Sequence, residues 1–390
     1  MQNFALGWLV LQTYKNNSLY LGIITACQFL PMLIFGSWGG LIADRYKKRS
    51  LLFFTQTSFL ILAVLLGVLT VLKEDKLGYL IVVAFLIGIF NLFDVPARQS
   101  FVQEMVGRTL ITNAVSLNSL IMNAARIVGP GIGGVIVDAI GVAPCFFINA
   151  ASFLAVIIAL LMMKVTELYS TKPVKPEKGQ IRAGFKYVLN KKELLIPLLV
   201  MAVVGTLAYN FQVTLLLMAK MVFKSHAQQA GLLFGAMGIG AVLGALLVAN
   251  LKAPTAKMLM FTCGAFGALL LGVSLSPNFL IGAILLIPTG AFSIAFIAVA
   301  NSSLQLQSDP QMRGRVMALY AIAFLGSTPV GSLIVSAVAY WQGARYSLGL
   351  GAVSALLSAM VAFVILRRRS KAVVTQNVDI ELNELGELNY

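Results

Sequence analysis

Apolar runs as long as a lipid bilayer is thick follow one another along this 390-residue chain, and they restrict its fold more than any other feature. A helix needs about 20 apolar residues to cross the hydrocarbon layer. Backbone amides in lipid must find partners within their own segment, so repeated runs of this length predict a helical bundle. A β-barrel would instead show short segments of alternating polarity. Hydrophobic residues make up 59% of the chain and charged ones 11%, against about 25% charged in soluble domains. The expected fold class is an all-α integral membrane protein.

The first predicted span ends near Tyr14. The next five are placed at 21–43, 51–72, 77–97, 113–139 and 142–163. After a polar stretch come 194–218, 230–250, 257–275, 279–305, 314–341 and 346–366. Of the 29 Lys and Arg, 22 fall in the second, fourth, sixth, eighth and tenth connections and the C-terminal tail; six fall on the opposite side, and Arg126 lies inside a span. Basic residues mark cytoplasmic loops, so the expected setting is the cytoplasmic membrane with the C-terminus inside. The same rule accounts for the net charge of +15 without a nucleic-acid partner. Met1 to Tyr14 would make about 21 Å of helix, so the chain is expected to start inside its first span.

Residues 164–193 break the pattern. The first part, with two prolines and many charges, suits a linker. In the second, Ile181, Phe185, Val188 and Leu189 share one face of an amphipathic helix suited to the inner leaflet. The expected organisation is a six-helix bundle over 1–163, a cytoplasmic linker over 164–193, a second bundle over 194–366 and a disordered tail over 367–390. The halves echo one another: "SFVQEMV" (100–106) sets against "SSLQLQS" (302–308) at an offset of 202, and "GGVIVDAI" (133–140) against "GSLIVSAV" (331–338) at 198.

Two motifs give the pattern a family. "GGLIADRYKKR" (39–49) resembles the loop signature of the major facilitator superfamily, with Gly40, Asp44, Arg45, Lys48 and Arg49 on matching positions and Lys47 where that family usually has glycine. "GPGIGG" (129–134) resembles the helix-5 signature of superfamily antiporters through Gly129, Pro130, Gly133 and Gly134; Ser116 and Ala125 stand at two earlier positions usually held by glycine. "DVPARQSFVQEMV" (94–106), "IRAGFKYV" (181–188) and "RGRVMALY" (313–320) are similar to the branch containing the enterobactin exporter and macrolide-efflux-like proteins. The resemblance implies a twelve-helix architecture of two six-helix bundles. It further implies a secondary active transporter that exports an amphiphilic small molecule, of the drug or siderophore class, by proton antiport and alternating access, working as a monomer without cofactor.

Helix 5 is unusual for a membrane span. Glycines permit close helix contact and Pro130 bends the helix. The resemblance implies that the neighbour is helix 8, whose Gly231, Gly235, Gly240 and Gly244 repeat small residues; the contact is either a gate or ordinary packing. Arg126, near mid-membrane, is expected to face a cavity or a partner. Asp94 is the nearest acidic candidate by sequence, and backbone carbonyls are the alternative. Asp94 and Arg98 stand at a pairing interval. With Asp44 and Arg45 they are expected to form a charge cluster between helices 2 and 4, which the resemblance makes the inner gate. Asp94 is the candidate proton carrier; a structural ion pair is the other reading. By resemblance again, cavity candidates are Gln28, Asn91, Asn118, Asn123, Asn210, Gln212 and Asn301, with Tyr209 and Phe211 as aromatic candidates.

Other chemistries find little support. Cys27, Cys145 and Cys263 are far apart in apolar stretches, without metal or disulfide spacing. His226, the single histidine, is expected in a solvated loop. There is no catalytic constellation and no GxxxxGK[ST] loop, which leaves an ion gradient as the energy source. An importer, a uniporter or a non-transporting scaffold are the competing readings.

Overall fold

The computed structural model describes residues 1–107, 109–169, 180–249, 255–324 and 326–387. Side chains are described outside 37–44, 180–184 and 366–387, and outside positions 112, 116, 119, 120, 123, 127, 167, 192 and 249. Among the described residues the regular structure is entirely helical, and ten segments are long and apolar enough to cross a membrane. With the short α1 (Gln2–Thr13) and the charged α5 (Ile111–Ile140), they build the two six-helix bundles expected from the sequence.

In the first bundle, α2 (Ser18–Arg45) packs on α4 (Leu77–Val106), and α3 (Lys48–Val71) packs on α6 (Val142–Met162). In the amphipathic α7 (Gln180–Asn190), Val188 is buried while Phe185 and Leu189 stay exposed. The second bundle holds α8 (Lys192–Leu207), α9 (Phe211–Leu217), α10 (Ala227–Ala249), α11 (Ala256–Leu275), α12 (Phe279–Gln307), α13 (Arg313–Phe324), α14 (Thr328–Gln342) and α15 (Ala344–Glu387). There α10 packs on α12 and α11 on α15. The core is mainly apolar, with Phe146, Phe266 and Phe296 fully buried.

Four elements differ from the sequence reading. The seventh span is broken at 208–210 rather than continuous, and a π-helical turn follows α9 at Met218–Val222. At the break, the Asn210 side-chain amide donates to the Thr206 carbonyl at 2.6 Å, taking over the bond a helical backbone N–H would make. The eleventh span is split into α13 and α14, where Pro329 sits in the first turn of α14 and has no N–H to continue a preceding helix. The fourth span continues through Pro96 to Val106, and Gly107 (φ +72°) ends it. Helical backbone also continues from α15 to Glu387, where an irregular tail was expected; Ala, Gln, Leu and Glu there are good helix formers.

The repeat has a structural counterpart. Gly141 (φ +95°) joins α5 directly to α6, and Gly343 (φ +105°) joins α14 directly to α15. Each left-handed glycine ends one helix and starts the next with no loop. These two glycines mark one end of the bundle, here called the Gly141 end; α2 terminates at the other, the Arg45 end.

Candidate functional site

The first group of functional side chains lies toward the Arg45 end. Asp94 on α4 is 1% exposed. A buried carboxylate is costly unless charge and hydrogen bonds compensate it. Arg98, one turn along α4, reaches Asp94 Oδ2 at 3.0 Å. Two side chains of α3 complete the shell: Thr55 Oγ1 donates to Oδ1 at 2.9 Å and Gln56 Nε2 at 2.8 Å. Arg98 itself is 43% exposed, so the pair spans from a sealed carboxylate to an open guanidinium.

The described side chains cover part of the predicted four-member cluster. Asp94 and Arg98 come together. Arg45 is exposed and makes no ion pair among the described residues, while Gly40 and Asp44 lie in 37–44, outside the described side chains. Thr55 and Gln56 were missed by sequence reasoning. Their signal was the polar run 55–58 inside an apolar span, since polar groups at depth seek partners.

The loop-motif cations tie helices together. Lys48 approaches Glu104 of α4 at 3.8 Å, both side chains well shielded. Arg49 donates to the carbonyls of Leu160 and Leu161 at 2.8 and 3.2 Å, satisfying acceptors at the end of α6 that have no helical donor. At the start of the second bundle, Lys191 donates to Tyr187 Oη and Asp309 Oδ2, each at 2.9 Å. Hydrogen bonds from Lys191 and Tyr187 hold the Asp309 carboxyl below its usual range. Those to Tyr187 and then Asp309 raise the Lys191 ammonium.

The second group joins the bundles at the Gly141 end. A Cβ on Gly134 would strike the Ala227 carbonyl oxygen of α10, and one on Gly231 would sit 2.5 Å from the Pro130 carbonyl oxygen. Glycine is thus what lets the backbones of α5 and α10 touch. Gly129 and Gly133 face Met1 and Phe4 beside α1. Only part of the predicted glycine stripe on α10 meets α5: Gly240 and Gly244 press on Ile287 and Ala291 of α12, and Gly235 faces open space.

Asp138 completes this crossing. Its Oδ1 accepts from Ala227 N–H at 3.0 Å and its Oδ2 from Gln228 N–H at 2.8 Å. These are first-turn amides of α10, where free donors and the helix dipole favour an anion. The amides lie 89 and 90 residues away in the chain, so sequence spacing does not reveal this pairing.

A second crossing joins α2 and α14. A Cβ on Gly22 would strike the Ser336 side chain, and Ser18 Oγ donates to the Ser336 carbonyl at 2.9 Å. Between the two crossings, Lys220 stands 4.6 Å above the Trp8 ring and Phe4 meets Phe234 edge-on.

The predicted cavity residues are not gathered in one place. Gln28 and Gln212 line a narrow crevice with Asn3 and Thr25, and Gln28 Nε2 donates to Asn3 Oδ1 at 2.9 Å. Asn210 is consumed by the helix break. Asn301 accepts from Gln305 at 2.5 Å. Asn91 and Asn118 are half-buried, and the Asn123 side chain is outside the described ones. Tyr209 and Phe211 pack with Phe266, and Tyr209 donates to the Ser293 carbonyl at 2.8 Å. Arg126 is exposed on α5 and forms no ion pair among the described residues; the expected Asp94–Arg126 contact is not made.

Two six-helix bundles that touch through close helix crossings at one end define a transporter of the major facilitator type. The structures of a bacterial homologue of the human lysosomal transporter Spinster (TM-score 0.69, 15% identity, 94% of each chain) and of the nucleoside transporter NupG (TM-score 0.74, 12% identity, 94% of this chain and 96% of that one) share the fold. Residues 1–384 match the MFS_3 family, described as transmembrane secretion effectors, and the chain belongs to that family. It is 29% identical over 370 residues to the staphyloferrin A transporter of Staphylococcus aureus, covering 93% of this chain and 91% of that protein. The enterobactin exporter EntS of Shigella flexneri is 26% identical over 306 residues, 76% and 71% of the two chains. The protein is accordingly a multi-pass membrane transporter of small molecules.

Proposed function

We propose that this transporter exports an amphiphilic small molecule of the drug or siderophore class across the cytoplasmic membrane by proton antiport. Its Arg45 end and C-terminus face the cytoplasm and its Gly141 end faces outward, as the distribution of Lys and Arg indicates. The working unit is a monomer of two rocking bundles, 1–163 and 194–366, joined by the cytoplasmic linker 164–193.

The observation that carries this reading is the placement of the contacts between bundles. Gly134–Ala227, Asp138–Ala227 and Gly22–Ser336 all lie at the Gly141 end, while the half of α5 toward the Arg45 end is largely exposed. That is the form expected of one state in an alternating-access cycle, closed outside and open inside. The names of the relatives, a siderophore transporter and a siderophore exporter, support the substrate class.

Asp94 is the proton carrier in this scheme. Protonation removes its charge, breaks the pairing with Arg98 and loosens α4 from Thr55 and Gln56 of α3. Deprotonation restores the shell. Each bound proton thus changes a helix contact at the inner end.

The test is efflux from cells lacking their main pumps, loaded with fluorescent amphiphiles, macrolides and a catecholate siderophore. Export should be abolished by an uncoupler and fall at least about tenfold in Asp94→Asn, equivalent to about 1.4 kcal/mol. Uncoupler-insensitive export would overturn proton coupling. Export retained in Asp94→Asn would reduce the residue to structure, and no export of any compound by well-inserted protein would overturn the exporter reading.

A further inference from the structure

Arg126, near the middle of α5, makes no ion pair among the described residues. Its position is fixed by the crossing of α5 and α10. Pro130 and Gly134 of α5 lie against Gly231 and Ala227 of α10, an antiparallel register in which each turn along one helix meets one turn back along the other. One further turn toward the Arg45 end brings Arg126 opposite Gly235. There a Cβ on Gly235 would meet nothing within 4 Å, and Arg126 is exposed.

Helical geometry sets which way Arg126 points. At about 100° per residue it lies angularly between Gly129 and Pro130, and close to Gly133. Those residues face α1 of the same bundle and α10 of the other, so Arg126 shares the packed face of α5, not the lipid face. It stands about 12 Å from Gly134 along the axis, near the middle of the 30-residue α5. A guanidinium at this depth is expensive to keep without a counter-charge.

No carboxylate of the described spans is left to supply one. Asp94 is held by Arg98, Thr55 and Gln56. Glu104 is held by Lys48, and Asp138 by the first amides of α10. Lys220, the other cation between the bundles, is occupied by Trp8. Among the described residues, the space between α5 and α10 therefore carries a positive charge and no free acidic side chain to balance it.

We infer that Arg126 is the contact for an anionic group of the transported molecule, and that the gap opposite Gly235 gives this group its room. A planar guanidinium binds a carboxylate through two parallel hydrogen bonds. At the closed end of an inward-open cavity, this charge selects anionic amphiphiles over cationic ones of the same shape. The inference rests on the transporter reading above and assigns the sign of its substrate.

The test is binding to the full chain in lipid nanodiscs. Three probes carry the same nitrobenzoxadiazole dye and hexyl chain and differ only at the other end: carboxylate, carboxamide or trimethylammonium. Dye emission above that of empty nanodiscs reports binding. The carboxylate should bind at least about tenfold more tightly than the other two, the difference one charge-assisted contact makes. Arg126→Gln should erase that preference and leave carboxamide binding within about twofold, while Arg126→Lys should keep part of it.

Equal binding of all three probes, preference for the ammonium, no carboxylate binding, or an unchanged preference in Arg126→Gln would each overturn the inference. If Arg126→Gln does not give monodisperse protein, the wild type and Arg126→Lys decide, with salt raised from about 0.05 to 0.5 M. The carboxylate preference should then shrink through screening, and a salt-independent preference counts against the inference. The same protein in proteoliposomes separates the two readings. Selective binding without proton-driven movement would sink the exporter and leave the anion site. Proton-driven movement of the carboxamide with equal binding of all probes would do the reverse.

Discussion

The two crossings that join the bundles are built from repeat-related residues and held by different chemistry. At the offset of 198, Gly134 and Asp138 of α5 correspond to Ser332 and Ser336 of α14. Both pairs press a helix face against the first turns of a partner, α10 in one case and α2 in the other. At α5–α10 a carboxylate takes two backbone amides. At α2–α14 one bond runs from Ser18 to a backbone carbonyl, and Ser332 Oγ reaches the Gly22 carbonyl only at 3.4 Å. The close approach is common to both, so it belongs to the fold. The charge is confined to one, so that crossing is where a change of charge can alter the contact.

The largest effect should come from breaking the approach itself. In Gly134→Val the added carbons meet the Ala227 carbonyl and, at 3.1 Å, Gln228 Cα, backbone atoms that cannot rotate away. Overpacking of this kind costs about 1–3 kcal/mol, enough to shift an open–closed balance by about tenfold or more. A cysteine placed at the fully buried Ala230, in a chain freed of Cys27, Cys145 and Cys263, would report it. Labelling by a membrane-impermeant maleimide should accelerate by that factor. Unchanged labelling would show that α10 yields to the extra bulk and that the contact does not set closure.

Asp138→Asn should give a smaller change. Asparagine keeps one acceptor oxygen and loses the charge that complements the α10 dipole. The loss is about 1 kcal/mol, or about fivefold faster labelling at the same cysteine. If the rate is unchanged, water satisfies the Ala227 and Gln228 amides as well as the carboxylate does, and the contrast between the crossings carries no energetic weight.

How far these features were legible in the sequence depends on how local their causes are. Membrane spans follow from apolar length alone, so nearly all fell within a few residues of the observed helices. The pairing of Asp94 with Arg98 was legible because both sit on one helix a turn apart. The break at 208–210 was not, since Asn210 caps its own chain by a side-chain bond that no glycine or proline announces. The roles of Thr55, Gln56 and Asp138 depend on partners from other helices, and sequence spacing carries no record of those. For Asp138 a trace existed: the repeat aligned it with a serine, so the charge stood out as the departure.

The smallest effect is expected where the comparison predicts almost none. Ser336 appears central to α2–α14, yet the bond that reaches it ends on its carbonyl oxygen, and its own buried Oγ has no partner. Ser336→Ala keeps the Ser18 bond, removes an unsatisfied hydroxyl and leaves more room beside Gly22. Removing such a group is near neutral or slightly stabilising, so labelling at the Ala230 cysteine should change by less than about twofold. In the double variant with Asp138→Asn, the two effects should add within about 0.5 kcal/mol, as they do for independent sites. A rise in Ser336→Ala equal to that of Asp138→Asn would mean that the hydroxyl holds α2 in a second state of the cycle, and that both crossings carry adjustable chemistry.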